Sequence, residues 1–425
     1  MSKSVEKVLE NCEKNIKDIV GSAGMQKKLM LLGGIRYLLP VIKAAHKQGY
    51  YVITADYLPD NIAHQYSDEY VNVSIVDKDA VLKVAQDKQI DGIMSFGVDP
   101  GVVSTAYVAE QMGLPFQCSY ENACILQDKS RFREFLSTHG FNCPKAKGYE
   151  SVEEVMQDAD SFLWPVIVKP VDSAGSKGVT KVENEVMLRS STEQAFSLSI
   201  SNRIIVEEFL DIVGYQSSAD VFVVDGKVVF PAFSDQLFDK KAINPFTPAI
   251  EIWPSSMPLN IQKELSDELQ RLITLLNVKT GIFNVESRFC SNGKTYLMEV
   301  SPRGGGNRIA ELQTMATGQD LIGNEVRQAM GNPVENITNP RYNGVWCNYI
   351  LHSSEEGILK SIDIESGFKS KYVRDEGLSV KKGDKIVPFT GANTSLGTLF
   401  LRTETRQEMD AILKDIDKYI KIVLE

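Results

Sequence analysis

The chain has 425 residues, a formal net charge of −10, 43% hydrophobic and 24% charged residues. That length accommodates roughly two or three domains with buried cores, and the composition is ordinary for a globular protein. The acidic balance argues against sequence-independent nucleic-acid binding, which needs a basic face, and no apolar run approaches membrane-spanning length. The start, Met1 to Lys7, lacks the apolar core of a signal peptide. Cys12, Cys118, Cys124, Cys143, Cys290 and Cys347 are scattered with no CxxC pair, so reduced thiols in a cytoplasmic protein are expected. The four histidines are not clustered, which disfavours a His-dependent nucleophilic triad.

In chain order, residues 4–20 carry apolar positions at helical spacing and predict an accessory helix. Lys28 to Gly34 reads as a buried strand ending in two glycines, followed by a helix from Pro40 to Gln48 and a strand from Tyr51 to Asp56. Strand and helix then alternate: strand Tyr70–Ile75, helix Asp79–Lys88, strand Asp91–Phe96, helix Val102–Met112. This alternation predicts a parallel sheet covered by helices. Gly33-Gly34-Ile35-Arg36 does not complete a GxGxxG fingerprint, so a nicotinamide enzyme loses its main warrant. The glycine pair reads either as a close approach to a substrate group or as a tight turn.

Gln127-Asp-Lys129 begins a helix, and Trp164 to Pro170 is a strand delivering Lys169. Asp172-Ser-Ala-Gly-Ser-Lys-Gly178 follows as a donor-rich loop of the kind that wraps a polyphosphate, although surface turns share that composition. Ile204 to Leu210 is a strand ending in adjacent acids. Asp220 to Phe230 is a hairpin turning at Asp225-Gly226, and Ile261 to Leu276 is an amphipathic helix. Ala310 to Met330 is predicted helical, 332–342 marks a boundary, and 343–425 combines short strands with a closing helix from Arg406 to Leu424.

The most informative stretch is Gly281 to Arg303, two apolar strands around Asn292-Gly293. A two-residue turn there sets Glu286 opposite Glu299 and Asn284 opposite Ser301. Directly opposed side chains have Cβ atoms about 4.5–5.5 Å apart, and like charges there are destabilising. A shared proton or a divalent cation would compensate, unless the face is simply solvated. Next comes Pro302-Arg303-Gly304-Gly305-Gly306-Asn307-Arg308, a glycine run between arginines that suits a phosphate.

The ordered set Asp128-Lys129, Pro165 to Pro170, Ser173 to Gly178, Val206 to Leu210, Asn284-Val-Glu286 and Met298 to Arg303 resembles the ATP-grasp superfamily. The nearest resemblance is to the branch of biotin carboxylase, carbamoyl phosphate synthetase, purine-biosynthetic ligases and L-amino-acid ligases. It implies an α/β (α+β) fold in three parts: an N-terminal parallel domain over 1–120, a two-lobed ATP-grasp domain over 121–335 with a lid at about 145–205, and a C-terminal β-rich domain over 336–425.

The resemblance also implies ATP and Mg²⁺, or Mn²⁺, as cofactors. Lys129 and Lys169 would contact the phosphates, and Ser173, Gly175, Ser176, Lys177 and Gly178 would close over them. Glu207 would meet the adenine, Glu208, Phe209 and Leu210 would edge the base, and Gln216 stands where the family often has a ribose-binding Glu. Glu286 and Glu299 would hold the metal, with Ser301 in place of the commoner Asn. Arg303 and Arg288 would stabilise the transferred phosphoryl group. The implied activity joins a small carboxylate to an amine through an acyl phosphate. The alternatives are a carboxylase or formyl-transferring ligase and a non-catalytic ATP sensor. The family often dimerises, so the resemblance allows a homodimer and leaves the oligomeric state open.

Overall fold

The computed structural model of the protein describes residues 26–172 and 178–425. The helix expected at 4–20, Cys12, and the loop residues Ser173, Gly175, Ser176 and Lys177 lie outside the described residues.

The first sheet is the predicted parallel one. Strands β1 (Lys28–Leu32), β2 (Tyr51–Asp56), β3 (Glu69–Asn72) and β4 (Gly92–Ser95) lie in the order β3-β2-β1-β4. Central β1 pairs in parallel with both β2 and β4, and its Leu29 to Leu32 are fully buried. Burial on both faces explains an uninterrupted apolar run. Helices α1 (Leu39–Lys47), α2 (Lys78–Lys88) and α3 (Val102–Met112) complete the unit. Helices α4 (Tyr120–Gln127) and α5 (Lys129–Thr138) follow. They part at Asp128, whose carboxylate caps α5 by accepting from the Ser130 and Arg131 N–H groups.

A small antiparallel sheet comes next: β5 (Ala146–Tyr149), β6 (Val166–Pro170), β7 (Thr180–Val182) and β8 (Ile204–Glu208), in the order β5-β8-β6-β7. Helices α6 (Val152–Gln157) and α7 (Glu185–Leu198) accompany it, and Val155, Leu188, Val166 and Val206 share its core.

A larger antiparallel sheet follows, built of β9 (Ile212–Val224), β10 (Lys227–Phe230), β13 (Gly281–Cys290) and β14 (Thr295–Ser301), ordered β10-β9-β13-β14. The amphipathic helix α8 (Leu259–Leu275) buries Leu265, Leu269 and Leu272 against Phe283, Val285, Leu297 and Val300. Each such leucine contributes about 1.5–3 kcal/mol. Strand alternation leaves the other face of β13 to Asn284, Glu286 and Arg288.

The rest is a mixed assembly. Strands β11 (Asp235–Phe238), β12 (Pro248–Trp253), β15 (Val345–Leu351), β17 (Val373–Leu378) and β19 (Gly397–Thr403) form one sheet, and β16 (Gly357–Ile364), β18 (Lys385–Ile386) and β20 (Ile420–Leu424) another. Helices α9 (Ile309–Thr317), α11 (Ser366–Tyr372) and α12 (Arg406–Lys414) pack on the first of these sheets, whereas α10 (Leu321–Ala329) packs on α1, β4 and β13.

Three sequence expectations change. The helix expected over 310–330 is two helices, because Gly318 ends α9 with φ +76 and Asp320 caps α10. The helix expected over 406–424 stops at Lys414, and Ile420, Ile422 and Leu424 belong to a strand antiparallel to β16. The hairpin turn is longer than expected, as its register shows below. Trp253 packs with Ile309, Leu312, Trp346 and Phe400, while Asn244 donates to the Thr390 carbonyl and accepts from the Phe246 N–H. Among the described residues the cysteines are free thiols, and no helix is long and apolar enough to cross a membrane.

Candidate active site

Three neighbouring strands place polar side chains in rows on one face of the sheet. Asp220 (β9), Asn284 (β13) and Ser301 (β14) form one row; Ser218, Glu286 and Glu299 form the next; Gln216, Arg288 and Tyr296 form the third. Thus Glu286 and Glu299 do oppose each other. They do so by a route different from the one the turn suggested.

The Cys290 N–H donates to the Lys294 carbonyl at 3.0 Å and the Cys290 carbonyl accepts from the Gly293 N–H at 2.9 Å, so the loop has three residues, with Gly293 at φ +74. Register near the turn is therefore one residue off the two-residue prediction, with Phe289 opposite Thr295 and Ser287 opposite Leu297. A bulge at Met298 restores it, so that Glu286 meets Glu299. The same bulge lets Leu297 and Val300, three residues apart, both enter the core. The carbonyl of Met298 accepts a 2.8 Å hydrogen bond from Arg133 Nη1.

Arg133 ties this hairpin to the small sheet. Its Nε lies 3.1 Å from Glu207 Oε2, and Lys169 Nζ pairs with Glu207 Oε1, all three side chains being buried. Burial alone would raise the Glu207 carboxyl. The Lys169 and Arg133 charges outweigh it and hold the group at about 2. Burial lowers Lys169 to about 8 despite its carboxylate partner, with Arg133 and Lys129 adding to the effect. The residues that the resemblance gave to phosphate and adenine therefore meet in one ion pair.

Lys129 Nζ lies 3.8 Å from Glu299 Oε2. Its backbone N–H donates to the Val171 carbonyl, fixing α5 to the approach of the loop. Asp172 accepts from Ser199 Oγ and from the Ile200 and Ser201 N–H groups, and Gly178 has φ +71 at the far end. Glu208 ends β8 and receives a 3.2 Å hydrogen bond from the Lys145 N–H; Phe209 lies under the Lys181 ammonium at 4.2 Å, and Leu210 packs with Cys290, Tyr296 and Met298. Gln216 donates to Gln236 at 2.6 Å.

Burial raises the Glu286 carboxyl, and the Glu299 charge adds to the rise. That is the electrostatic strain a bound cation removes, so the opposed glutamates fit a divalent metal with oxygen ligands. No group of three or more His, Cys, Asp or Glu poised for a metal occurs among the described residues, so the remaining ligands would come from phosphate oxygens and water. Ser301 accepts from Gln127 at 2.7 Å and donates to Asp99 at 3.0 Å, so its hydroxyl is already committed.

Arg303 forms a forked pair with Asp99, with Nε at 2.8 Å and Nη2 at 2.7 Å. Burial lowers the guanidinium's tendency to hold its proton, but the Asp99 carboxylate more than offsets this. Burial lowers Arg288 as well, partly offset by Glu286 and Glu207. Beneath the hairpin, buried Glu325 accepts from the Ile282 N–H at 2.8 Å, and Gln117 donates to the Pro302 carbonyl at 2.8 Å.

Sequence reasoning missed Arg133, Asp99, Gln117, Glu325 and Glu251. A charged residue inside an apolar run was the available signal for Glu251, in Ala249-Ile-Glu-Ile-Trp253, and for Arg133, in Phe132-Arg-Glu-Phe135. Asp99 gave none, because it meets Arg303 only through the fold.

The site region thus combines a parallel sheet, a small antiparallel sheet and a larger antiparallel sheet whose paired carboxylates lie beside lysines and a glycine run. Residues 162–311 match the family model for the ATP-grasp domain. Among curated proteins, the carbamoyl phosphate synthase large chain of Clostridium beijerinckii is 24% identical over 267 residues, covering 62% of this chain and 24% of that one. The chain thus spans about a quarter of the length of the first such relatives. Two solved structures share the fold. The L-amino acid ligase from Bacillus licheniformis has a TM-score of 0.78 at 20% identity, covering 94% of this chain and 99% of that one. Phosphoribosylglycinamide synthetase from Anaerococcus prevotii has 0.72 at 22%, covering 94% and 100%. Residues 162–311 are thus similar to an ATP-grasp domain.

Proposed function

We propose that the protein is an ATP-dependent ligase that activates a small carboxylate as an acyl phosphate and joins it to an amine, releasing ADP and phosphate. The observation that carries this reading is the juxtaposition of the Glu286 and Glu299 pair with Lys129, Lys169 and the Arg303-Gly-Gly-Gly306 run. The names of the relatives support it, since they are ligases and synthetases of small molecules. In this reading 121–335 is the ATP-grasp domain with its lid at 145–205, set between domains 1–120 and 336–425.

The chemistry follows from charge placement. A substrate carboxylate oxygen attacks the γ-phosphorus of ATP; the bond from that phosphorus to the ADP oxygen breaks, and the electron pair leaves with ADP. Such a transfer is governed by positioning and electrostatics. Lys129 and Lys169 neutralise phosphate oxygens, so Lys169 exchanges part of its pairing with Glu207 for phosphate. Arg303, held by Asp99 through Nε and Nη2 and by the Gly304 carbonyl through Nη1, offers its remaining Nη N–H groups to the transferred group. Magnesium held by Glu286 and Glu299 would supply charge neutralisation to the phosphates. The amine then attacks the acyl carbon, phosphate departs with the C–O electron pair, and the amine loses a proton. Exclusion of water by the lid protects the acyl phosphate.

The test is oxygen transfer. With an oxygen-labelled carboxylate, label must appear in the phosphate released, and release must depend on Glu299. Unlabelled phosphate, or full activity in Glu299→Gln, would contradict the reading.

A further inference from the structure

One polar cluster takes no part in the chemistry above. Glu251, at the middle of β12, is 1% exposed, and among the described residues no lysine, arginine or histidine forms an ion pair with it. Its contacts are amides at the long end of hydrogen-bond range: Gln236 Nε2 at 3.4 Å from Oε1 and Asn348 Nδ2 at 3.4 Å from Oε2. Gln236 in turn accepts from Gln216 at 2.6 Å, and Asn348 donates to the Asn307 carbonyl at 2.7 Å. Asn307 and Arg308 both have positive φ, 50 and 62, a costly conformation for non-glycine residues that clusters at ligand sites. The cluster thus joins β9, β11, β12, β15 and the end of the glycine run.

Its unsatisfied atoms point to a ligand. Gln216 Oε1, Asn348 Oδ1 and Asp220 Oδ2 are buried and lack hydrogen-bond partners. All three are acceptors, and Glu251 adds two carboxyl oxygens with weak donors. Buried polar atoms without partners are rare and costly, about 1–3 kcal/mol each. Their common need is N–H donors; Arg288 Nε, also buried without a partner, lies on the strand position opposite Gln216. Asn284, Glu286, Arg288 and Gly306 to Arg308 are partly exposed beside the cluster, so a ligand lying along the metal and phosphate side could reach into it.

We infer that Glu251, flanked by Gln236 and Asn348 and with Gln216 beside it, binds the cationic amino group of one of the two small-molecule substrates. This rests on the ligase reading for the word substrate, but its binding site stands on the geometry alone. A primary ammonium carries three N–H donors, which matches a set of convergent acceptors and discriminates against groups lacking them. Burial raises the Glu251 carboxyl to about 8, with the Asp220 and Glu286 charges contributing; an ammonium placed there removes that cost. Electrostatic complementarity then selects an amino compound over an alcohol of the same shape.

The experiment is calorimetric titration of the full chain with L-amino acids, ethanolamine and putrescine, each beside its N-acetyl counterpart, with magnesium and a non-hydrolysable ATP analogue present. At least one amine must bind the wild type while its N-acetyl form does not. Glu251→Gln, which keeps the shape and one acceptor oxygen for its amide neighbours, must weaken that binding by about tenfold or more, and Glu251→Asp less. Nucleotide affinity, measured in the same samples, must stay at the wild-type value, which shows that the variant is folded. Absence of amine binding at millimolar concentration, equal binding of the N-acetyl form, or undiminished binding in Glu251→Gln would each overturn the assignment. The two readings fail separately. Glu251-dependent amine binding without ADP formation would defeat the ligase reading alone, whereas ligation with an unaltered KM for every amino substrate in Glu251→Gln would defeat this site alone.

Discussion

Glu286 on β13 lies directly opposite Glu299 on β14, and the bulge at Met298 keeps them there. Without a cation this pair is a repulsive contact on a half-buried face. Neutralising one member in Glu286→Gln should raise the stability of the metal-free protein by up to about 1 kcal/mol and abolish the stabilisation that Mg²⁺ gives the wild type. Thermal unfolding with and without chelator measures both effects.

The buried trio Lys169, Glu207 and Arg133 should behave in the opposite way. Removing Glu207 leaves two buried cations without their partner, so Glu207→Gln should cost about 3–5 kcal/mol in denaturant unfolding. Because the Glu207 carboxyl falls to about 2 from its ordinary 4.5, its contribution is complete above 4.5 and is lost as pH falls toward 2. The variant should therefore show a flatter acid limb.

Glu325 sets the reverse slope. Burial raises it from 4.5 to about 8, so the folded protein holds a proton that the unfolded chain releases between those values. Its stabilising contribution is full below 4.5 and disappears as pH rises toward 8, at about 1.4 kcal/mol per pH unit for one proton. Glu325→Gln, whose amide oxygen can still accept from the Ile282 N–H, should flatten that decline. An unchanged slope would assign it to other groups.

Asp99 should act through Arg303. Asp99→Asn removes the charge that orients the fork while leaving the phosphate lysines in place, so turnover should fall by about tenfold or more with nucleotide affinity little changed. A rise in KM for ATP at constant kcat would place Asp99 in nucleotide binding instead.

Much of this architecture was legible because it is encoded locally. The alternation from Lys28 to Met112 specifies a parallel sheet, and Asp225-Gly226 gives the expected two-residue turn between Val224 and Lys227. The Glu286 and Glu299 pairing was reached through two errors that cancel: the turn at Ser291 to Gly293 is one residue longer than expected, and the Met298 bulge restores the count. Bulges leave little trace in a pattern whose residues are all apolar. The closing strand Ile420–Leu424 was read as helix because Arg406 to Lys414 is strongly amphipathic, and the change of period beyond Asp415 is short. Arg133, Asp99 and Glu251 depend on partners far along the chain, 74, 204 and 97 residues away for Glu207, Arg303 and Asn348. No local pattern carries such a pairing.

The most direct test of the central claim is the stoichiometry of ADP and phosphate released with Mg-ATP across a matrix of small carboxylates, each with and without amino acids and other amines. The account predicts at least one pair for which ADP, phosphate and an amide product form in equal amounts, with release falling sharply when either partner is omitted. Nucleotide binding with no product from any pair, or ADP release indifferent to both carboxylate and amine, would contradict it.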